Sequence, residues 1–253
     1  MVIGHKNHGS GSSGVIVLHG WFGDHTVFDP VVPFLDTDTF TYAFMDYRGY
    51  GLSRDIAGEH TMREIADDAV ALADELGWDQ FHLIGHSMGG MALMRIATDQ
   101  QERVKSGVAL APVPPSGVPL DEDSAALFNG AIENDENRRA ILDFTTGGRL
   151  SGHWLDLHVR RSRETTTVEA YADYLVAWTQ TNFADESKGL ELPLLICPGE
   201  HDGALTADVM KQTYMEWYPN AELQVLPNSG HYPMQETPVY LTTVTENFMR
   251  KHL

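Results

Sequence analysis

The chain has 253 residues, of which 42% are hydrophobic and 21% charged. These proportions fit one soluble globular domain, or one domain with an insertion, long enough to bury a substantial core. The formal net charge of −19 repels nucleic acid and anionic membrane surfaces unless a local basic patch overrides the average, and it steers polyanionic substrates away. No apolar run is long enough to cross a bilayer. Met1-Val2-Ile3-Gly4-His5-Lys6 lacks the apolar core of a secretory signal, so a cytoplasmic location is expected. The single cysteine, Cys197, excludes an internal disulfide. Within a predicted strand it reads as a small buried hydrophobe.

Before Val15 there is room for one short edge strand near Val2–His5. The run Gly9-Ser10-Gly11-Ser12-Ser13-Gly14 reads as a native turn because it leads straight into a core strand, Val15–Leu18. That strand runs into His19-Gly20-Trp21. A short helix over Phe28–Leu35 and a strand over Thr41–Phe44 follow, then Asp46-Tyr47-Arg48-Gly49-Tyr50-Gly51-Leu52-Ser53, whose glycines suit a turn with positive φ. Thr61-x-x-Glu64 is a capping-box pattern. Ile65, Ala69, Leu72 and Leu76 recur at helical spacing behind it, and Gly77 closes the helix. A strand over Phe81–Ile84, a helix over Met88–Thr98 and a strand over Val104–Ala111 come next. Ala111-Pro112-Val113-Pro114-Pro115-Ser116 then breaks regular structure. Residues 113–189 are helical in character and hold Trp154, Tyr171, Tyr174, Trp178 and Phe183. On a helix near Val168–Phe183, Tyr171, Tyr174, Leu175 and Trp178 share a face. Two further strands, Leu192–Cys197 and Leu223–Leu226, lead into Pro198-Gly199-Glu200-His201-Asp202 and Pro227-Asn228-Ser229-Gly230-His231. No internal repeat is visible.

The segment Gly85-His86-Ser87-Met88-Gly89 carries the chemistry. A serine lifted out of a strand by a sharp turn needs neighbours with almost no side chain two residues away on either side, and the following helix points its positive end at the site. Serine is a poor nucleophile unless a histidine takes its proton and a carboxylate orients that histidine. Acid and histidine candidates follow in that order, each just past the end of a strand, where open α/β sheets build their sites. These motifs together, with His19-Gly20-Trp21 placed like an oxyanion loop and the D-x-R-G-x-G-x-S segment at 46–53, resemble the α/β-hydrolase superfamily over residues 15–112 and 190–253.

The resemblance implies an α/β-hydrolase fold: a mostly parallel central sheet flanked by helices, here with one strand fewer than is usual because so little chain precedes Val15. It implies a core of residues 1–112 and 190–253 and a helical cap of 113–189. It assigns Ser87 as nucleophile, His231 as general base and then acid, and Asp202 as orienting carboxylate. Asp202 is preferred over Glu200 by the family's G-x-x-D spacing from Gly199. The Trp21 and Met88 backbone N–H groups are the expected oxyanion donors, and Trp154, Trp178 and Tyr174 are the candidate substrate contacts from the cap. His19 and His86 are expected to shape loops. Arg160, Arg161 and Arg163 read as a solvated helix face with an Asp156–Arg160 pair, or else as a carboxylate-capturing cluster. No dense ligand motif such as H-E-x-x-H and no phosphate-binding glycine loop is present, so neither metal nor cofactor is expected.

A serine nucleophile argues against alkyl-ester chemistry through a carboxylate. The expected reaction is hydrolysis of a small to medium, largely apolar carboxylic ester or lactone through an acyl-enzyme. The alternatives are carbon–carbon bond hydrolysis or perhydrolysis on the same fold, and a hydrolase-fold ligand receptor with little turnover. The expected partner is a small-molecule substrate, and a homo-oligomer is compatible with the composition.

Overall fold

The computed structural model describes residues 2–253. Seven strands form one sheet in the order β1-β3-β2-β4-β5-β6-β7, with β1 (His5–Gly9), β2 (Ser13–Leu18), β3 (Phe40–Met45), β4 (Phe81–His86), β5 (Val104–Leu110), β6 (Leu194–Cys197) and β7 (Ala221–Leu223). Only β1 is antiparallel, to β3; every other pair is parallel. Parallel strands covered on both faces read as continuous apolar runs, and β2 and β4 are buried along their whole lengths. Of the two histidines within β4, His82 bonds through Nδ1 to Ser106 Oγ on the neighbouring strand at 2.8 Å, and His86 lies at the strand's end beside Ser87.

The sheet follows the expected architecture, with shifts at its edges. The first strand lies later than expected and uses Gly9, leaving Ser10–Ser12 as the connection; its partner is β3, with His5 opposite Met45. The short helix expected at 28–35 starts three residues earlier, over His25–Phe34, and is a 3₁₀ helix. Pro30 and Pro33 each remove a donor that an α-helix would use. Strand β7 ends at Leu223, earlier than expected, although Gln224 N and Leu226 N continue the ladder by donating to Ile196 O and Pro198 O at 2.9 Å each.

Helix α1 (Met62–Glu75) starts where the capping pattern predicts. Thr61 Oγ1 accepts from Glu64 N at 3.1 Å, but the Glu64 carboxylate reaches past Thr61 to the N–H groups of Glu59 and His60. Helix α2 (Met88–Asp99) follows β4 directly. Between β5 and β6 the chain inserts α3 (Glu122–Gly130), α4 (Asp135–Thr145), α5 (Gly152–Thr165), α6 (Val168–Gln180) and the short α7 (Ala184–Ser187). The short helices α8 (Ala207–Gln212), α9 (Tyr214–Trp217) and α10 (Pro233–Glu236) then precede α11 (Pro238–Arg250), which closes the fold. Among the described residues no helix is long and apolar enough to cross a membrane.

Candidate active site

Ser87 sits between β4 and α2 with φ +56° and ψ −117°, a conformation that costs a non-glycine residue on the order of 1–3 kcal/mol and persists only where the surroundings enforce it. The surroundings do so here. Ser87 N–H donates to Leu110 O at 2.9 Å, and Ser87 O accepts from Gly90 N at 2.9 Å and Val113 N at 3.0 Å. A Cβ on Gly85 would collide with the Gly89 carbonyl, and one on Gly89 would press on the Leu18 carbonyl, so the turn closes only with glycine at both places.

His231 and Asp202 meet beyond the ends of β7 and β6. The His231 Nδ1–H donates to Asp202 Oδ2 at 2.6 Å, and Asp202 Oδ1 accepts from Ala204 N at 2.8 Å and Leu205 N at 3.0 Å. Both residues are buried, Asp202 at 5% and His231 at 7% exposure, so this pair works in a poorly screened environment. Because a carboxylate only accepts, the hydrogen rests on Nδ1 and the imidazole's other nitrogen is left free for the cavity. Glu200 is turned away from it, accepting Asn228 N at 3.0 Å on the surface. His86, whose ring lies 4.9 Å from that of His231, donates through Nε2 to the His231 carbonyl at 2.7 Å. Burial pushes His86 well below the ordinary imidazole pKa, so it is neutral and acts as a strut. The His231 backbone is also held from other elements. Its N–H donates to Thr145 O at the end of α4 (3.1 Å), and the Glu236 carboxylate accepts from Gly230 N (2.9 Å) and Tyr232 N (3.1 Å). Glu236 was not apparent from the sequence; its only signal is its place three residues after Pro233.

The expected oxyanion loop, His19-Gly20-Trp21, is clamped carbonyl by carbonyl. Tyr47 Oη donates to His19 O at 2.8 Å, His19 Nδ1 donates to Gly20 O at 2.8 Å, and Tyr50 Oη donates to Trp21 O at 2.9 Å. The Trp21 N–H has no acceptor among the described residues, and Met88, as the first residue of α2, has no intrahelical acceptor for its own. Both expected donors are thus available for an anion. Asp24, His25 and Asp46 bring one ligand atom each within 4.8 Å of one another. The Asp46 oxygens are already taken by the His25 N–H and ring (2.7 Å each) and by Leu52 N–H (2.8 Å), so the cluster fits a loop clamp and not a metal.

A cavity of about 280 Å³ opens onto Ser87 and His231 and is lined by Trp21, Phe22, Phe128, Trp178, Leu205 and Tyr232, among others. Of the expected cap contacts only Trp178 lines it. Tyr174 is fully buried behind it, against Tyr47, Tyr50 and His60. Trp154 lies outside, stacked on His158 at 3.9 Å with its Nε1–H on Gln235 Oε1 at 2.9 Å. The arginine cluster does not reach the cavity either. Arg163 pairs with Asp135 at 2.7 Å, and Asp156 pairs with Arg139 at 3.1 Å in place of the expected Arg160. Phe128 and Leu205 had no motif to mark them. Among ionisable side chains the lining holds His86, His231, Tyr232 and Asp121 but no lysine or arginine.

Known proteins are similar to this chain over most of its length. A non-heme haloperoxidase of Rhodococcus erythropolis is 27% identical, over 90% of this chain and 88% of its own. A bifunctional esterase/perhydrolase of Acinetobacter calcoaceticus is 26% identical, over 90% and 88%. A solved N-acyl homoserine lactone degrading enzyme superposes with a TM-score of 0.80 at 25% identity, covering 97% of this chain and 96% of its own. Residues 15–242 match the sequence pattern of the alpha/beta hydrolase family. The chain therefore belongs to the alpha/beta hydrolase family.

Proposed function

We propose that this hydrolase cleaves small to medium, largely apolar carboxylic esters or lactones through an acyl-enzyme. The observation that carries the reading is the 2.6 Å His231–Asp202 contact facing the same cavity as Ser87, whose backbone is held at φ +56°. His231 Nε2 removes the Ser87 hydroxyl proton as Oγ attacks the acyl carbonyl, and the Trp21 and Met88 N–H groups receive the developing oxyanion. The tetrahedral species collapses, the imidazolium gives its proton to the leaving alcohol, and the acyl group stays on Oγ. Water then enters by the same route, with His231 again as base, and frees the acid.

The cavity supports the substrate class. Its volume lies near the lower end of ligand pockets, roughly 300–1,000 Å³, and its wall is largely aromatic and aliphatic. With no lysine or arginine in the lining and Asp121 at its edge, a substrate carboxylate would be desolvated without a partner. That weighs against carbon–carbon hydrolysis of a dienoate. Residues 113–189 are read here as the cap that supplies Phe128, Ile141, Phe144 and Trp178 to the wall. Perhydrolysis, in which hydrogen peroxide replaces water at the acyl-enzyme, is the second reading and is favoured by the esterase/perhydrolase relative.

The test is a panel of p-nitrophenyl esters, lactones and one dienoate, with and without hydrogen peroxide. Repeated turnover of neutral esters or lactones that disappears in Ser87→Ala is the expected result. Turnover of the dienoate alone would overturn the substrate class, and a single slow burst with ligand-dependent thermal stabilisation would replace the enzyme by a receptor.

A further inference from the structure

Arg138 on α4 is the most deeply buried arginine among the described residues, at 1% exposure. Its donors go to uncharged acceptors: Nε to Ala131 O at 2.7 Å, Nη1 to Ser162 Oγ at 2.6 Å and Nη2 to Ile132 O at 3.3 Å. None of these contacts is a carboxylate. A cation held away from water without a counter-ion is costly, and hydrogen bonds to neutral acceptors offset only part of that cost. What the guanidinium does meet is an aromatic face. Its Cζ lies 3.8 Å from the centre of the Tyr171 ring, the geometry of a desolvated cation–π contact.

Tyr171 passes that contact on. Its ring also stacks on the Trp21 indole at 4.1 Å with 19° between the ring planes, and Phe22 meets it edge-on at 5.7 Å. The Trp21 Nε1–H donates to the Tyr171 carbonyl at 2.8 Å. Tyr171 on α6 therefore holds the Trp21 side chain with its ring and its carbonyl, while the Tyr50 hydroxyl holds the Trp21 carbonyl. The Tyr171 hydroxyl has no partner among the described residues, so the ring and the carbonyl make the contacts, not the phenol.

We propose that Arg138 and Tyr171 are positioning residues for the oxyanion hole, clamping Trp21 from the inserted helices so that its backbone N–H is fixed where the oxyanion forms. This rests on the serine-hydrolase reading above. It adds that the inserted segment governs the chemical step as well as substrate choice, through one three-layer stack of guanidinium, phenol ring and indole.

The test is steady-state kinetics of Arg138→Met, Arg138→Lys and Tyr171→Phe on a p-nitrophenyl ester series of increasing acyl length, with near-ultraviolet circular dichroism to verify folding. Displacing a catalytic group by a fraction of an ångström to 1 Å costs about tenfold to a hundredfold in rate. Arg138→Met is expected to lose that much in kcat at every acyl length with KM within about twofold of wild type. Arg138→Lys recovers most of the loss by restoring the cation, and Tyr171→Phe matches wild type. If Arg138→Met does not fold, Ser162→Ala, which removes one acceptor of the guanidinium, and Tyr171→Leu, which removes the middle layer, take its place and should show the same kcat-only loss. Folded variants with wild-type kcat, or losses expressed only in KM, overturn the inference and leave the serine-hydrolase reading standing. A wild-type protein that neither turns over esters nor is captured by a fluorophosphonate overturns both.

Discussion

The floor and the roof of the cavity are built by different rules. On the floor, each group is fixed by a short run of sequence at the end of a strand: Gly85–Gly89 after β4, Gly199–Asp202 after β6 and Pro227–His231 after β7. On the roof, the wall residues Phe128, Ile141, Phe144 and Trp178 come from three helices and are brought together only by packing. The floor should fail in an all-or-none way when one side chain changes, whereas the roof should fail by degree and by substrate.

Ser87→Ala is the sharpest break. It replaces a hydroxyl at a cavity wall by hydrogen and should leave the fold intact while lowering kcat/KM by about 10⁴ to 10⁶ for every ester. A residual rate above about a tenth of wild type would place the nucleophile elsewhere. Asp202→Asn comes next, with a loss of about 10⁴ because an amide permits the wrong His231 tautomer. Glu200→Gln, on the surface and bonded to Asn228, should stay within about threefold, as surface changes usually do. Equal losses in the two variants would remove Asp202 from its role.

The roof predicts smaller, uneven effects. Trp178→Ala should change kcat/KM by about tenfold for acyl groups long enough to reach it, and little for acetate, as expected from roughly 25 cal/mol per Å² of lost apolar contact. Trp154→Ala, outside the cavity, should keep the wild-type ranking of substrates. A changed ranking with Trp154 and none with Trp178 would invert the assignment of the wall.

This division also explains what could be read from the chain before its structure. The succession of strands along the chain, the elbow, the Asp202–His231 pairing and the loop at 46–53 were legible because each depends on local constraints that leave a motif. The roof was not. Tyr171, Tyr174, Leu175 and Trp178 do share buried positions on α6, as the periodicity implied. Helical periodicity says which face is apolar but not what that face meets. One of its aromatic residues lines the cavity, one stacks under the oxyanion loop and one packs on Tyr47 and Tyr50. Arg138 shows the same limit from the polar side, because an arginine in the charged run Asp135-Glu136-Asn137-Arg138-Arg139 reads as solvated. The edge strands shifted for a related reason: β1 and β7 are exposed on one side and carry the weakest pattern.

Stability has its own pH signature, rooted in the sheet. Burial pushes His82 down to about 4 from the ordinary 6.5. The unfolded chain then binds the proton that the folded chain refuses, so its contribution is complete above about pH 6.5 and is lost as pH falls toward 4. At 1.36 kcal/mol per unit the effect is on the order of 3 kcal/mol. Burial also lowers His19 and His86, which steepens the same slope. Urea unfolding of His82→Gln between pH 7 and 4 should show a shallower fall than wild type. An identical slope would mean that His82 does not titrate on unfolding in this range.

The central claim is that acyl transfer passes through Ser87, driven by His231. Mass spectrometry after brief exposure to a fluorophosphonate tests it most directly. The expected result is one adduct per chain, on the peptide containing Ser87, absent in Ser87→Ala and strongly slowed in His231→Ala. An adduct on another residue, or rapid ester turnover in a protein that acquires no adduct, would contradict it.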